Sequence, residues 1–269
     1  TKNLLFSNEV RRLCRFASYN FKGDPFIEFE KTVDFINNSV TDQSLKAQSV
    51  SVSASGQYQT LVVYDSNDYT DDGQGFIWTS SNYGTNWDNT WSLSSETSYK
   101  WNSVSISASG QYQSAVVENE SIWSSKDFGQ TWAESNLDAA VVAISVSATG
   151  QYQTAVGQDR IYISNEFGEN WDLILETSNT QNFVSVSQSS TGQYQCAATN
   201  GNGIFVSTDF GGTWNSYSSS ENYNWTSVSV SGSGQYTGAV VGNNGNLWNS
   251  VAIVSSSGTA GNTGFTGPT

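Results

Sequence analysis

The phrase Gly-Gln-Tyr recurs five times in this chain, beginning at Gly56, Gly110, Gly150, Gly192 and Gly234, each time behind an alternating Ser/Val run. Successive starts stand 54, 40, 42 and 42 residues apart. Self-similarity at a fixed period means stacked copies of one supersecondary unit, because no single copy can bury its apolar face alone. Within the second copy, Val104, Ile106 and Ala108 alternate with Ser103, Ser105 and Ser107, which predicts a strand. Gly110 then marks a turn. Residues 112–117, rich in β-branched and small side chains, predict a second strand, 121–125 a third, and a fourth begins at Thr131 and Trp132.

A four-stranded unit at this spacing predicts an all-β chain folded as a β-propeller of five recognisable blades, or six if the N-terminal segment supplies one. Residues 1–46 do not match the repeat and predict a cap or arm, with a short amphipathic helix over 4–16 and a strand over 26–30. The propeller is expected over 47–257. Residues 258–269 form four Gly-X-Y triplets, the start of a collagen-like tail that would make the chain a homotrimer. The fourth repeat carries Gln188 and Ser190 where its sisters have aliphatic or small residues, so either that strand is slightly shifted or a polar side chain looks into the channel. The first repeat holds an insertion between its second and third strands, around 64–75. The absence of Met predicts a processed product or a fragment.

The turn between strands three and four carries a second signature. It places Asn82, Gly84 and Trp87 in the first repeat and Asp127, Gly129 and Trp132 in the second. The third has Glu166, Gly168 and Trp171, and the fourth has Asp209, Gly211 and Trp214. A short Asp or Asn accepts hydrogen bonds from its own turn, the glycine takes the positive φ, and the tryptophan packs beneath the strands. The pattern resembles the Asp-box, or BNR repeat, of sialidases, sortilin-type receptors, some glycosidases and photosystem assembly factors. That resemblance implies a propeller with boxes on the outer rim, away from the ligand face, and a structural role for these residues. The fifth repeat has lost the box, as suits a terminal unit.

Composition removes several functions. With no histidine, His-based triads and His-ligated zinc are excluded. Ten Lys plus Arg against 24 Asp plus Glu give −14, a surface that repels nucleic acid and anionic lipid. No apolar run approaches the roughly 18–20 residues of a membrane span. Sialidases of this fold use three arginines from different blades, and the propeller here holds Arg160 alone, so that activity does not carry over. Glycosidases of the Asp-box type use paired carboxylates, for which Asp138 and Asp159 are unpaired candidates. No cofactor is expected beyond Ca²⁺, for which Asp65, Asp68, Asp71 and Asp72 form either an oxygen-rich cluster or a solvated acidic loop.

Trp78, Trp91, Trp101, Trp123 and Trp225 suit either sugar stacking or blade packing, and the equivalence of Trp101, Phe183 and Trp225 favours packing. Cys196 fills the slot of Thr60, Ser114 and Thr154, a small strand position, and Cys14 offers it a disulfide partner. Sequons stand at Asn37, Asn119 and Asn224. Together, the strands, boxes and Gly-X-Thr triplets resemble surface proteins of giant viruses and some algae. This implies a non-enzymatic virion-surface or extracellular head that presents a glycan or protein partner on the propeller face. A carboxylate-based glycoside hydrolase and a protein-binding assembly factor are the alternatives.

Overall fold

The computed structural model describes residues 45–65, 75–92, 100–118, 120–137, 139–177, 182–201, 203–217, 223–242 and 247–251. The chain divides into two units, Thr1–Thr41 and Asp42–Thr269, and everything described belongs to the second. The expected helix over 4–16, the strand over 26–30, Cys14, Asp68, Asp71, Asp72 and Asp138 lie outside the described residues. So do the sequons at Asn37 and Asn119 and the tail 258–269. Asp65 and Trp91 are described in their backbone alone.

The described residues form strands and no helix. Blade 1 is β1 (Leu45–Val52), β2 (Gln59–Asp65), β3 (Gly75–Ser80) and β4 (Asp88–Ser92). Blade 2 is β5 (Trp101–Ile106), β6 (Gln113–Val117), β7 (Ile122–Ser125) and β8 (Ala133–Glu134). Blade 3 is β9 (Ala143–Val146), β10 (Gln153–Gly157), β11 (Arg160–Ser164) and β12 (Asp172–Glu176). Blade 4 is β13 (Phe183–Gln188), β14 (Gln195–Thr199), β15 (Ile204–Ser207) and β16 (Asn215–Tyr217). Blade 5 contributes three described strands, β17 (Trp225–Val230), β18 (Tyr236–Val241) and β19 (Leu247–Val251). Every sheet runs in chain order as an antiparallel meander, which is the blade of a propeller.

Alternation alone would put Trp101 on the same face as Ser103 and Ser105. A bulge between Trp101 and Ser103 shifts the register, so Trp101 is buried beside Val104 and Ile106 in one cluster. Bulges before Ser185 and Ser227 carry Phe183 and Trp225 to the same place. Gln188 answers neither sequence expectation. It pairs with Gln195 as Ile106 pairs with Gln113, so β13 keeps its register. Its side chain is buried against blade 3, where Nε2 donates to the carbonyls of Ser145 (3.0 Å) and Tyr152 (2.9 Å).

One set of devices joins successive blades. Val62 and Ile77 of blade 1 pack with Trp101, Val104, Ala115 and Trp123 of blade 2, and equivalent clusters fill the other seams. Burial of this kind supplies most of the stability, at about 2–5 kcal/mol per large side chain removed. At the turn after the innermost strand, each blade donates one backbone N–H to the next: Ala54 to Ala108, Ala108 to Ala148, Ala148 to Ser190 and Ser190 to Gly232, at 2.9–3.0 Å. Strand serines accept from the following blade, as Val104 N–H donates to Ser49 and Ile106 N–H to Ser51. Val228 and Val230 repeat this on Ser185 and Ser187. The tyrosine of each Gly-Gln-Tyr lies under the glycine of the next copy: a Cβ at Gly110, whose φ is +80°, would stand 2.5 Å from Cβ of Tyr58.

The second glutamine of the second, third and fourth phrases is a buried connector. Thr60 donates to Gln113 Oε1, Ser114 to Gln153 and Thr154 to Gln195, each at 2.7 Å, and each glutamine returns its Nε2–H to the glycine carbonyl of its own phrase. The innermost strands touch in the series β1, β5, β9, β13, β17, and no comparable contact joins β17 to β1 among the described residues.

Candidate functional site

The boxes are built from short side chains that satisfy their own turn. In blade 2, Ser125 Oγ accepts from Gly129 N–H (2.9 Å) and donates to Asp127 Oδ1 (2.8 Å). Asp127 in turn accepts from the backbone of Thr131 (2.9 Å) and from its hydroxyl (2.6 Å). Trp132 donates its indole N–H to Gly129 (3.0 Å). Blade 4 repeats every bond with Ser207, Asp209, Gly211, Thr213 and Trp214. In blade 1, Asn82 accepts from Asn86 N–H at 2.9 Å, and Gly84 N–H meets Ser80 at 3.0 Å. Blade 3 keeps the Gly168 N–H bond to Ser164 (3.0 Å), while Glu166, one methylene longer, accepts from the Asn170 amide instead (2.6 Å). Trp171 is buried in the seam with blade 2, and Trp87 is half-buried.

The glycine is not alone in taking a positive φ. Tyr83, Phe128, Phe167 and Phe210, each just before the box glycine, sit at +58° to +65°. This left-handed backbone is costly for an aromatic residue. Phe128 offsets it with an N–H bond to Gln111 (3.1 Å) and a ring contact with Tyr58 of the preceding blade at 4.5 Å. Phe167 on Tyr112 and Phe210 on Tyr152 do the same at 4.5 and 4.6 Å.

Partial burial opposes ionisation at Asp127, but hydrogen bonds from Thr131 and Ser125 outweigh it and hold the carboxyl below its ordinary value. Asp209 is lowered in the same way by Thr213 and Ser207. A carboxylate so engaged is a poor proton donor, which suits a turn and not an acid catalyst. Glu120 moves the other way, raised by burial and then by the charge of Glu134, although both are exposed. Asp159 lies 4.0 Å from Arg160, which also binds Glu176 at 2.7 Å. Trp101, Trp123 and Trp225 are buried between blades, and Trp78 is half-buried. Cys196 is a free, fully buried thiol whose pKa burial pushes up. No group of three or more acidic, His or Cys side chains suited to a metal occurs among the described residues.

A cleft of about 420 Å³ opens between blades 1 and 2. Tyr58 and Phe128 form its aromatic wall, Gln57, Ser80, Ser81, Thr90 and Gln130 bring amides and hydroxyls, and Asp88 is its one carboxylate among the described residues. It lies at the end of the sheets that carries the Gly-Gln-Tyr and box turns, whereas the family resemblance put the ligand face away from the boxes. The sequence offered no direct signal for it, because its walls come from two blades.

A family model described as the BNR-Asp box repeat matches residues 204–217, which span β15, the box of blade 4 and β16. No curated protein matches the chain. Among solved structures, it is similar to "YCF48 bound to D1 peptide", with a TM-score of 0.56 and 16% identity over 77% of this chain and 63% of that one. It is similar to the GH74 enzyme of Niastella koreensis, with a TM-score of 0.57 and 14% identity over 85% of this chain and 47% of that one. It is also similar to the nidogen/laminin complex, with a TM-score of 0.57 and 10% identity over 78% of this chain and 77% of that one. The chain therefore spans less than two thirds of the length of the first two. Likeness at such identities establishes the fold alone: the chain is a β-propeller, and blades 1 to 4 carry Asp-box turns.

Proposed function

We propose that the chain is a non-catalytic binding module that holds an extended protein segment in the cleft between blades 1 and 2. The chemical make-up of that cleft carries the reading: neutral donors and acceptors surround the Tyr58–Phe128 wall, with Asp88 the single carboxylate. An extended peptide presents alternating N–H and C=O groups that such a lining matches, and an apolar side chain that the wall receives. Glycoside hydrolysis needs two carboxylates about 5–10 Å apart, one more than the described residues of this cleft supply. Likeness to YCF48 bound to a D1 peptide and to the nidogen/laminin complex supports a protein partner. An extracellular or virion-surface setting on a trimeric stem belongs to the same proposal, supported by the acidic surface, the Gly-X-Y triplets and the exposed sequon at Asn224.

The hydrolase is the second reading, favoured by the raised carboxyl of Glu120 beside Glu134 and by the GH74 likeness. One experiment separates the two. The purified chain and its Ser81→Arg variant, which extends a long side chain across the cleft, are tested on a peptide array and a glycan array. Peptide binding that Ser81→Arg weakens, with an unchanged unfolding curve, is the expected result. Binding confined to glycans, or peptide binding indifferent to Ser81→Arg, removes the proposal. Release of reducing sugar that Glu120→Gln abolishes establishes the hydrolase in its place.

A further inference from the structure

Three internal seams, between blades 1 and 2, 2 and 3, and 4 and 5, define what a blade offers on its trailing edge and what it needs on its leading edge; between blades 3 and 4, Ala143 replaces one strand serine and Gln188 one aliphatic side chain. The trailing edge presents a tyrosine ring, strand serine hydroxyls and one backbone N–H; the leading edge presents a bare glycine, strand amides, one backbone C=O and a pair of aliphatic side chains. Blade 1 has no described blade before it, yet its leading half is complete. A Cβ at Gly56 would meet nothing nearer than Tyr83 at 3.9 Å, whereas Gly110, Gly150, Gly192 and Gly234 are each filled by a tyrosine. Val50 and Val52 are 43% and 51% exposed, although their counterparts Val104, Ile106, Val228 and Val230 are buried. Tyr83, at the position where Phe128 covers a tyrosine, is 66% exposed.

Blade 5 carries the opposite half. Tyr236, the fifth tyrosine of the repeat, is 56% exposed, with no glycine over it among the described residues. Ser227 and Ser229 stand where Ser185 and Ser187 accept strand amides, and Gly232 stands where Ser190 donates its N–H. We propose that these edges mate between molecules: the trailing edge of blade 5 in one copy packs on the leading edge of blade 1 in a second copy. The seam repeats the internal one, with Val50 and Val52 N–H on Ser227 and Ser229, Gly232 N–H on the Ala54 carbonyl, and the Tyr236 ring under Gly56.

Three observations select a second copy. Tyr58, Tyr112, Tyr152 and Tyr194 each lie under the glycine of the next blade, and among the described residues Tyr236 alone has none over it. Within one molecule, β17 makes no comparable contact with β1 among the described residues. Every group named in the seam is uncharged, so the −14 of each copy is not set against itself there. The contact is heterologous and propagates until a ring closes or a filament grows.

Sedimentation velocity across a concentration series tests this on the full chain, with Val52→Asp on blade 1 and Tyr236→Asp on blade 5. Both positions are exposed, so the fold is expected to tolerate the changes. The wild type is expected to assemble as concentration rises, with each variant associating roughly tenfold or more weakly. Mixing the two variants is expected to restore pairs, since one intact seam forms between them. Hydrogen exchange on the wild type gives a readout free of mutation: the Val50 and Val52 amides gain protection as concentration rises. A wild type that stays monomeric, or an assembly that both variants leave untouched, as one held by the tail would be, overturns the proposal.

Discussion

The seam between blades 2 and 3 and the seam between blades 4 and 5 share one backbone plan and differ in chemistry. In the first, Ser114 donates to Gln153, Gln153 caps the Gly150 carbonyl, and Phe167 stacks on Tyr112. In the second, Cys196 replaces the hydroxyl donor and Thr237 replaces the glutamine. Both are buried, the Thr237 hydroxyl has no partner, and no blade 5 ring stacks on Tyr194 among the described residues. What persists is the Ser190 N–H bond to Gly232, the serine bonds of Ser185 and Ser187, and an apolar cluster of Cys196, Ala198, Ile204, Val228 and Ala239. Backbone and apolar packing therefore suffice for the seam. The glutamine connector is an addition, and losing both partners together leaves one orphaned hydroxyl where losing one would strand a buried amide.

If that is so, the two seams respond differently to truncation. Gln153→Ala removes a buried side chain and orphans the Ser114 hydroxyl and the Gly150 carbonyl, at a cost of about 3 kcal/mol in urea unfolding. Thr237→Val removes only the unpaired hydroxyl and is expected to be neutral or to gain about 1 kcal/mol. Equal losses at the two positions would break the comparison. A transplant sharpens it. Thr237→Gln alone is expected to destabilise by overpacking, while adding Cys196→Thr supplies a donor and recovers about 1 kcal/mol beyond the sum of the single changes. A double-mutant cycle with no coupling would mean that the blade 4 and 5 seam has no room for the connector.

Much of this fold was legible because its unit is short and copied. The Gly-Gln-Tyr spacing fixed the blades, and the box residues announced a turn whose bonds Asp127 and Asp209 then make. The buried glutamine connectors Gln113, Gln153 and Gln195 were missed although the signal was present: the position repeats from the half-buried Gln59 onward, and the one departure, Thr237, coincides with Cys196. A polar residue in a strand reads as exposed by default, and only its partner one blade away overrules that. Trp101 was unplaceable by alternation because a bulge precedes Ser103. The cleft was beyond reach for the same reason as the connectors, since Ser81 and Phe128 meet only once two blades have stacked.

Acid separates the box turns from the seams by a smaller effect, because the boxes carry carboxyls whose ionised form the fold favours. The Asp127 and Asp209 carboxyls are held below their ordinary value of 3.8, so the folded state favours their ionised form. Their contribution is fully present above that value and is lost as pH falls through the lower folded one. Both side chains are mostly solvated, so each contributes no more than about 0.5–1 kcal/mol. Hydrogen exchange of the Thr131 and Thr213 amides is therefore expected to quicken, after correction for intrinsic rates, as pH drops from neutrality to below 3.8. The Val228 and Val230 amides, bonded to serine hydroxyls that do not titrate, are expected to stay protected over the same range. Loss of protection at all four positions together would mean that acid opens the whole propeller, and that the boxes hold more of it than their own turns.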